Sequence, residues 1–248
     1  SDITTTGGAA TAGDHDGGAA GEITLTTNTG VIYLNNSNIT AAGGAGHGDG
    51  EQVAGANIIF SDAVVLSGDT TKIDTGATGG NIKFHQTVNG AQALELTAGT
   101  GSITFGGKVG NGTALASLAA TATTININGG TTVDSSTKAV TAQSVVTAGS
   151  QTYTGSTVLG ANTTLAAVNS SDVPQTIKFA GKLDSDNDGV TPTAASKLRT
   201  LDITGNAVFE AAVGSHYVLG GLSVSGTSTI GKTGLNSIAV TTTGAQTY

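Results

Sequence analysis

The residues best suited to chemistry lie in Asp184-Ser185-Asp186-Asn187-Asp188-Gly189. Carboxylates at alternate positions, followed by a Gly that permits a sharp turn, are how a calcium loop opens. Calcium takes six to eight oxygen ligands, and three such side chains in a curled loop converge on one point. The candidate ligands are therefore Asp184, Asp186 and Asp188. Ala195 stands where an EF-hand carries its closing bidentate Glu, so backbone carbonyls or water would have to complete the shell. Ca2+ is the only cofactor the sequence suggests. Two further clusters, Gly13-Asp14-His15-Asp16-Gly17 and His47-Gly48-Asp49-Gly50-Glu51, combine imidazole with carboxylate. Their spacing matches no ligand motif, so solvated turns are the expectation.

Catalytic residues are not apparent. Glu95, Asp202 and Glu210 stand apart on different apolar runs, whereas glycoside cleavage needs two facing carboxylates. No Gly-x-Ser-x-Gly, phosphate loop or Ser/His/Asp set is recognisable. The sequence predicts a protein that is not an enzyme.

The elements that carry these residues are short alternating runs. Ile82/Phe84, Leu94/Leu96 and Ile103/Phe105 each place apolar residues two apart, with Gly, Asn and Thr between the runs. A period of two means a strand with one buried and one wet face. The runs recur. Asp2-Ile3-Thr4-Thr5 leads through a Gly-rich loop to Gly21-Glu22-Ile23-Thr24-Leu25. Asn38-Ile39-Thr40-Ala41 leads through another to Asn57-Ile58-Ile59-Phe60. A longer echo joins Gln151-Thr152-Tyr153 to Gln246-Thr247-Tyr248, and Asn81-Ile82-Lys83-Phe84 to Thr176-Ile177-Lys178-Phe179, both at an offset of 95 (246 − 151; 176 − 81). Leu94-Glu95-Leu96-Thr97 echoes Leu201-Asp202-Ile203-Thr204, and Ile103-Thr104-Phe105 echoes Ala207-Val208-Phe209, at longer offsets. An insertion around 184–197 accounts for the change.

Composition agrees with a thin, repetitive core. Of 248 residues, 39 are Gly, 10% are charged and 4% are aromatic. Small and β-branched side chains suit a solenoid coil, which buries only a narrow stripe, better than a thick globular core. β-branched residues and Gly also disfavour helix. The expected fold is all-β, a right-handed parallel β-helix (a β-solenoid) with irregular Gly/Asp-rich loops. It is read as one segment over 1–248, with sub-repeats about 1–61, 62–153 and 154–248. Roughly ten coils, stacked about 4.8 Å apart, would make a rod on the order of 50 Å long. A β-sandwich is the runner-up, because a 95-residue echo is also the size of one such domain.

Several partners are excluded. Net charge is −8, and the nine Lys and Arg are scattered singly. Nucleic acid and anionic membrane surfaces need clustered cations, so neither is expected. No apolar run approaches the ~20 residues of a spanning helix. The absence of Cys removes disulfides and thiolate metal sites. The absence of Met points to a processed product or an excerpt.

The runs Gly79-Gly80-Asn81-Ile82-Lys83-Phe84, Thr97-Ala98-Gly99-Thr100-Gly101-Ser102-Ile103-Thr104-Phe105-Gly106-Gly107 and Thr243-Gly244-Ala245-Gln246-Thr247-Tyr248 carry a resemblance. They resemble the repeat region of very large bacterial exoproteins of the filamentous-haemagglutinin type, over most of residues 20–248. The resemblance implies a right-handed parallel β-helix, secretion, and a place at the bacterial cell surface in an adhesin, fibre or matrix protein. The implied partners are cell-surface or matrix components, carbohydrate among them, and further copies of the chain in end-to-end or lateral association. The alternatives are a self-assembling extracellular fibre or sheath subunit, and a β-helix that binds or cleaves polysaccharide. Loops at 7–21, 41–55 and 184–197 would present variable surface.

Overall fold

A computed structural model describes residues 2–28, 30–133, 140–186, 198–231 and 238–248. No helix occurs among the described residues. The strands fall into successive coils. The first coil holds β1 (Ile3–Thr4), β2 (Ile23–Leu25) and β3 (Val31–Asn35). The second holds β4 (Ile39–Thr40), β5 (Ile58–Phe60) and β6 (Ala63–Ser67). The third holds β7 (Thr71–Asp74), β8 (Ile82–Phe84) and β9 (Val88–Asn89). The fourth has β10 (Ala93–Thr97), β11 (Ser102–Phe105) and a bridge at Val109. The fifth has β12 (Ser117–Ile127), the hairpin β13 (Thr132–Val133) and β14 (Val140–Ala142), and β15 (Val145–Thr147). The sixth has β16 (Gln151–Leu159) and β17 (Thr163–Ala167). The seventh has β18 (Thr176–Phe179), β19 (Leu183–Ser185) and β20 (Thr200–Thr204). The eighth has β21 (Asn206–Phe209), a bridge at Val213 and β22 (Gly221–Val224). The ninth has β23 (Ser228–Ile230), a bridge at Val240 and β24 (Gln246–Thr247).

Apart from β13 and β14, each strand pairs in parallel with the strand one coil away, and three ladders result. The first runs β1-β4-β7-β10, through the first half of β12 and of β16, to β18-β21-β23. The second runs β2-β5-β8-β11, through the second halves of β12 and β16, to β19, Val213 and Val240. The third runs β3-β6-β9, through Val109, to β15-β17-β20-β22-β24. Both β12 and β16 turn a corner mid-strand, where their register shifts between Thr121 and Thr124. Gly155, with φ of 133°, makes that corner in β16. This is a parallel β-solenoid. The sandwich reading fails because sandwich sheets pair antiparallel, and here the only antiparallel strand pair among the described residues is β13–β14.

The core is a set of columns along the stacking axis. Ile32, Val64, Val88, Val109, Val145, Leu165, Ile203 and Val224 form one of them, in continuous register. All five Phe lie in two stacks. Phe60, Phe84 and Phe105 stack on the second ladder with centroids 4.6 and 5.7 Å apart. Tyr153, Phe179 and Phe209 stack on the first ladder at 5.1 and 5.6 Å. Parallel in-register pairing places like residue over like residue, so near-parallel ring stacking follows from the repeat.

The two stacks also expose a phase change. The segments that echo one another in sequence do not lie on the same side of the solenoid. β8 and β11 belong to the second ladder, but their echoes β18 and β21 belong to the first. β10 belongs to the first, but its echo β20 belongs to the third. The carboxy-terminal copy of the repeat is thus rotated by one face.

Tyr153 is fully buried, and its hydroxyl donates to Gln151 Oε1 at 2.9 Å. Burial pushes the phenol far above its ordinary range. The neutral form is therefore the folded form. A raised folded-state pKa gives stability that is intact below the unfolded value of about 10 and lost as pH rises from there. Chemical denaturation from pH 8 to 11 should show stability falling above pH ~10. Tyr153→Phe should flatten that fall, while costing about 1–3 kcal/mol at pH 8 through the unpartnered Gln151 oxygen.

Candidate functional site

The acidic segment at 184–188 divides on folding. Asp184 sits in β19 and is 8% exposed. Its Oδ1 accepts the backbone N–H groups of His216 at 2.9 Å and Tyr217 at 3.2 Å, both in the next coil. Asp186 leaves the strand and meets Arg199: Nε donates to Oδ1 at 3.0 Å and an Nη to Oδ2 at 3.2 Å. The Arg199 N–H also donates to Ser185 Oγ at 3.1 Å. Arg199 and Asp186 thus form a bidentate guanidinium–carboxylate pair. Asp188 lies outside the described residues. A calcium ion taken by this segment would have to compete with two amides for Asp184 and with a cation for both oxygens of Asp186. The nearness of Arg199 in space was not readable from the motif, because Arg199 lies 13 positions beyond Asp186 in the chain.

Asp184 is one case of a wider pattern. Asn and Asp side chains at the corners accept N–H groups from the neighbouring coil, where ladder pairing lapses. Asn57 Oδ1 accepts Asn81 N–H at 2.9 Å, and Asn81 Oδ1 accepts Ser102 N–H at 2.9 Å. Asn57 also donates through Nδ2 to Glu22 at 3.0 Å, so a polar file runs over four coils. Asn89 holds Gly112, Asn111 holds Gln143, Asn162 holds Thr200 and Asn206 holds Thr227 in the same way. Asn36 accepts Asp69 N–H. These side chains join coil to coil, and each satisfies a donor the ladder leaves free. Asn126 on β12 pairs in register with Thr104 on β11. There, Asn126 Nδ2 donates to Thr104 Oγ1 at 3.2 Å.

The two His clusters do come together. His47 N–H donates to His15 O at 3.0 Å, and its Nδ1 lies 2.9 Å from Gly13 O. Asp14 accepts Asp49 N–H at 3.2 Å and Asp16 accepts Glu51 N–H at 2.9 Å. The carboxylates therefore tie one loop to the next. Among the described residues no three His, Asp or Glu side chains form a group able to hold a metal ion.

The Gly-rich loops around these clusters are packed backbone. Gly18 N–H donates to Gly8 O at 2.7 Å, Gly44 N–H to Gly18 O at 2.9 Å and Val53 N–H to Gly44 O at 3.2 Å. A Cβ built on Gly44 would fall on the carbonyl of Gly8 and against the N–H of Gly18. Only Gly permits backbones to approach this closely, as in the triple helix of collagen. The loops of the first two coils thus form a slab of extended segments outside the ladders.

The carboxylates on the strands are separate. Glu95 pairs with Lys72 at 3.1 Å and Glu210 with Lys178 at 2.8 Å, each across adjacent strands. Asp202 borders a groove of about 300 Å³ on the third ladder, with Thr200, Gly221, Leu222, Ser223 and Thr247. Partial burial raises its carboxyl above the usual range. It is the only carboxylate lining that groove. On the first ladder Thr4, Thr40, Thr97, Thr121 and Thr154 stand in one outward file, interrupted by Asp74.

These features define a class: a parallel β-solenoid whose polar side chains are spent on joining coils. No protein-family model, curated protein or solved structure matches the chain.

Proposed function

We propose that the chain is a non-enzymatic rod of a secreted bacterial surface protein, similar to the repeat regions of filamentous-haemagglutinin-type exoproteins. It acts as a stiff spacer and displays its packed loops for adhesion to cell-surface or matrix material. The observation that carries this reading is the commitment of corner Asn and Asp to the next coil. Such side chains add stiffness along the axis and leave few groups for chemistry. A place outside the cell agrees with the resemblance and with a chain free of Cys. Calcium at 184–188 is an accessory in this reading, in competition with Arg199 for Asp186.

The Asp202 groove favours the second reading, a β-helix that binds or cleaves polysaccharide. A lone carboxylate supplies an acid without its partner. One experiment separates the readings. The purified chain is applied to immobilised matrix polysaccharides and cell-surface extracts, and both retention and new reducing ends are measured. Retention without new reducing ends is expected. Reducing ends that disappear with Asp202→Asn would replace the rod with an enzyme. Neither retention nor cleavage would remove the adhesive part and leave a spacer.

A further inference from the structure

Three Asn-Gly pairs occur in the sequence, Asn89-Gly90, Asn111-Gly112 and Asn128-Gly129. Asn followed by Gly is the dipeptide most prone to cyclise. The Gly nitrogen, once it loses its proton, attacks the Asn carboxamide, and Gly has no Cβ to obstruct the approach. A fold suppresses this reaction in two ways. It engages the attacking N–H as a hydrogen-bond donor, and it fixes the carboxamide.

The first two pairs are held in both ways, partly by each other. Gly90 N–H donates to Thr113 O at 3.2 Å. Asn89 Oδ1 accepts Gly112 N–H at 2.8 Å and Thr113 N–H at 3.3 Å. Gly112 carries the nitrogen that would attack Asn111, so Asn89 restrains its neighbour's reaction as well as its own. Asn111 Oδ1 in turn accepts Gln143 N–H at 3.0 Å.

The third pair is held in neither way. Asn128 directly follows β12 and is exposed. Its carboxamide and the Gly129 N–H bond to none of the described residues. A Cβ at Gly160 would meet Asn128 Oδ1, so Gly160 leaves the carboxamide room to turn. Two backbone bonds lie close by. Asn128 N–H donates to Phe105 O at 2.9 Å, ahead of the reacting atoms. Gly130 N–H donates to Asn128 O at 2.9 Å, and this bond has to open.

We propose that Asn128-Gly129 is a site of spontaneous self-modification, at which Asn128 passes through a cyclic imide to aspartate and isoaspartate. The Gly129 nitrogen bonds to Asn128 Cγ and gives up its proton. The Cγ–Nδ2 bond breaks, and Nδ2 leaves as ammonia. Water then opens the ring. Opening at Cγ leaves an aspartyl residue. Opening at the main-chain carbonyl leaves an isoaspartyl link, which runs the backbone through the side chain and lengthens it by one carbon. Either product adds a negative charge. A Cβ at Gly129 would fall on the carbonyl of Gly107, so the longer link enters closely packed backbone and loosens the fifth coil there. The reaction needs only the chain and water, and it is independent of the rod reading.

The test keeps the 248-residue chain folded at pH ~7 and pH ~9, both below the range in which Tyr153 weakens the fold. Peptides are recovered over weeks, and their aspartyl and isoaspartyl forms are separated by chromatography and identified by mass. Asn128 should convert on the order of tenfold or more faster than Asn89 or Asn111, the ratio that the hydrogen bonds holding those two supply. Its conversion should be faster at the higher pH. In denaturant the three pairs should convert at similar rates, which assigns the difference to the fold. Asn128→Gln should abolish the new acidic species and leave the circular dichroism unchanged. Equal rates at the three sites of the folded chain, or a faster Asn89 or Asn111, overturn the proposal. So does an Asn128 that stays intact in the folded chain while the denatured chain reacts.

Discussion

Phe84→Ala should destabilise the amino-terminal coils by about 3–5 kcal/mol, the usual cost of removing a buried ring. The ring lies between Phe60 and Phe105, at 4.6 and 5.7 Å, and is 1% exposed. Removing it leaves a cavity bounded by two flat faces that the fixed spacing of the ladder keeps apart. Neighbouring strands cannot close the gap without breaking backbone bonds in two coils. Because coils contact only their neighbours, the loss should stay local. Amide exchange should quicken in β5, β8 and β11, while β18 and β21 keep their protection. Lys83→Ala, at the outward position beside it, should change stability by less than about 0.5 kcal/mol. A loss below about 1 kcal/mol for Phe84→Ala would show that the ladder relaxes around the ring.

Gly44→Ala should be the second most damaging change, and by a different route. The added methyl carbon meets backbone atoms of Gly8 and Gly18, and neither is the end of a flexible side chain. Overpacking of this kind typically costs about 1–3 kcal/mol. The bonds lost are Gly18 N–H to Gly8 O and Gly44 N–H to Gly18 O. Their exchange rates should rise roughly 5- to 150-fold, the same free energy expressed as a ratio. The ladders beneath should keep their protection. Gly8→Ala is the control, since a Cβ there meets nothing within 4 Å. Equal effects from both substitutions would mean that the slab does not hold together in solution.

The contrast between these residues shows how far the sequence reaches. Alternation in Ile82-Lys83-Phe84 announces a strand with one dry face, because a period of two is local geometry. Recurrence of that pattern, with few aromatics and much Gly, announces stacked coils, because no single coil buries its own face. The calcium pattern at 184–188 is a different matter. Alternate carboxylates are equally compatible with cation binding and with bonds to amides of another coil. The choice rests on His216, Tyr217 and Arg199, which only stacking brings near.

Gly-rich loops read in sequence as variable surface, since Gly has no side chain to report a contact. Their close packing is visible only in three dimensions. The longer echo likewise carries no mark in the sequence of which ladder its segments join. Only the tertiary structure decides that the second copy begins one face further round, because parallel pairing constrains strand and register but not which ladder a repeat enters. The sequence by itself determined strand, period and stacking, since these follow from local alternation and the need to bury it. Which ladder each repeat joins, and what each carboxylate holds, was decided by contacts between coils, such as those whose partners lie 21 and 38 residues apart.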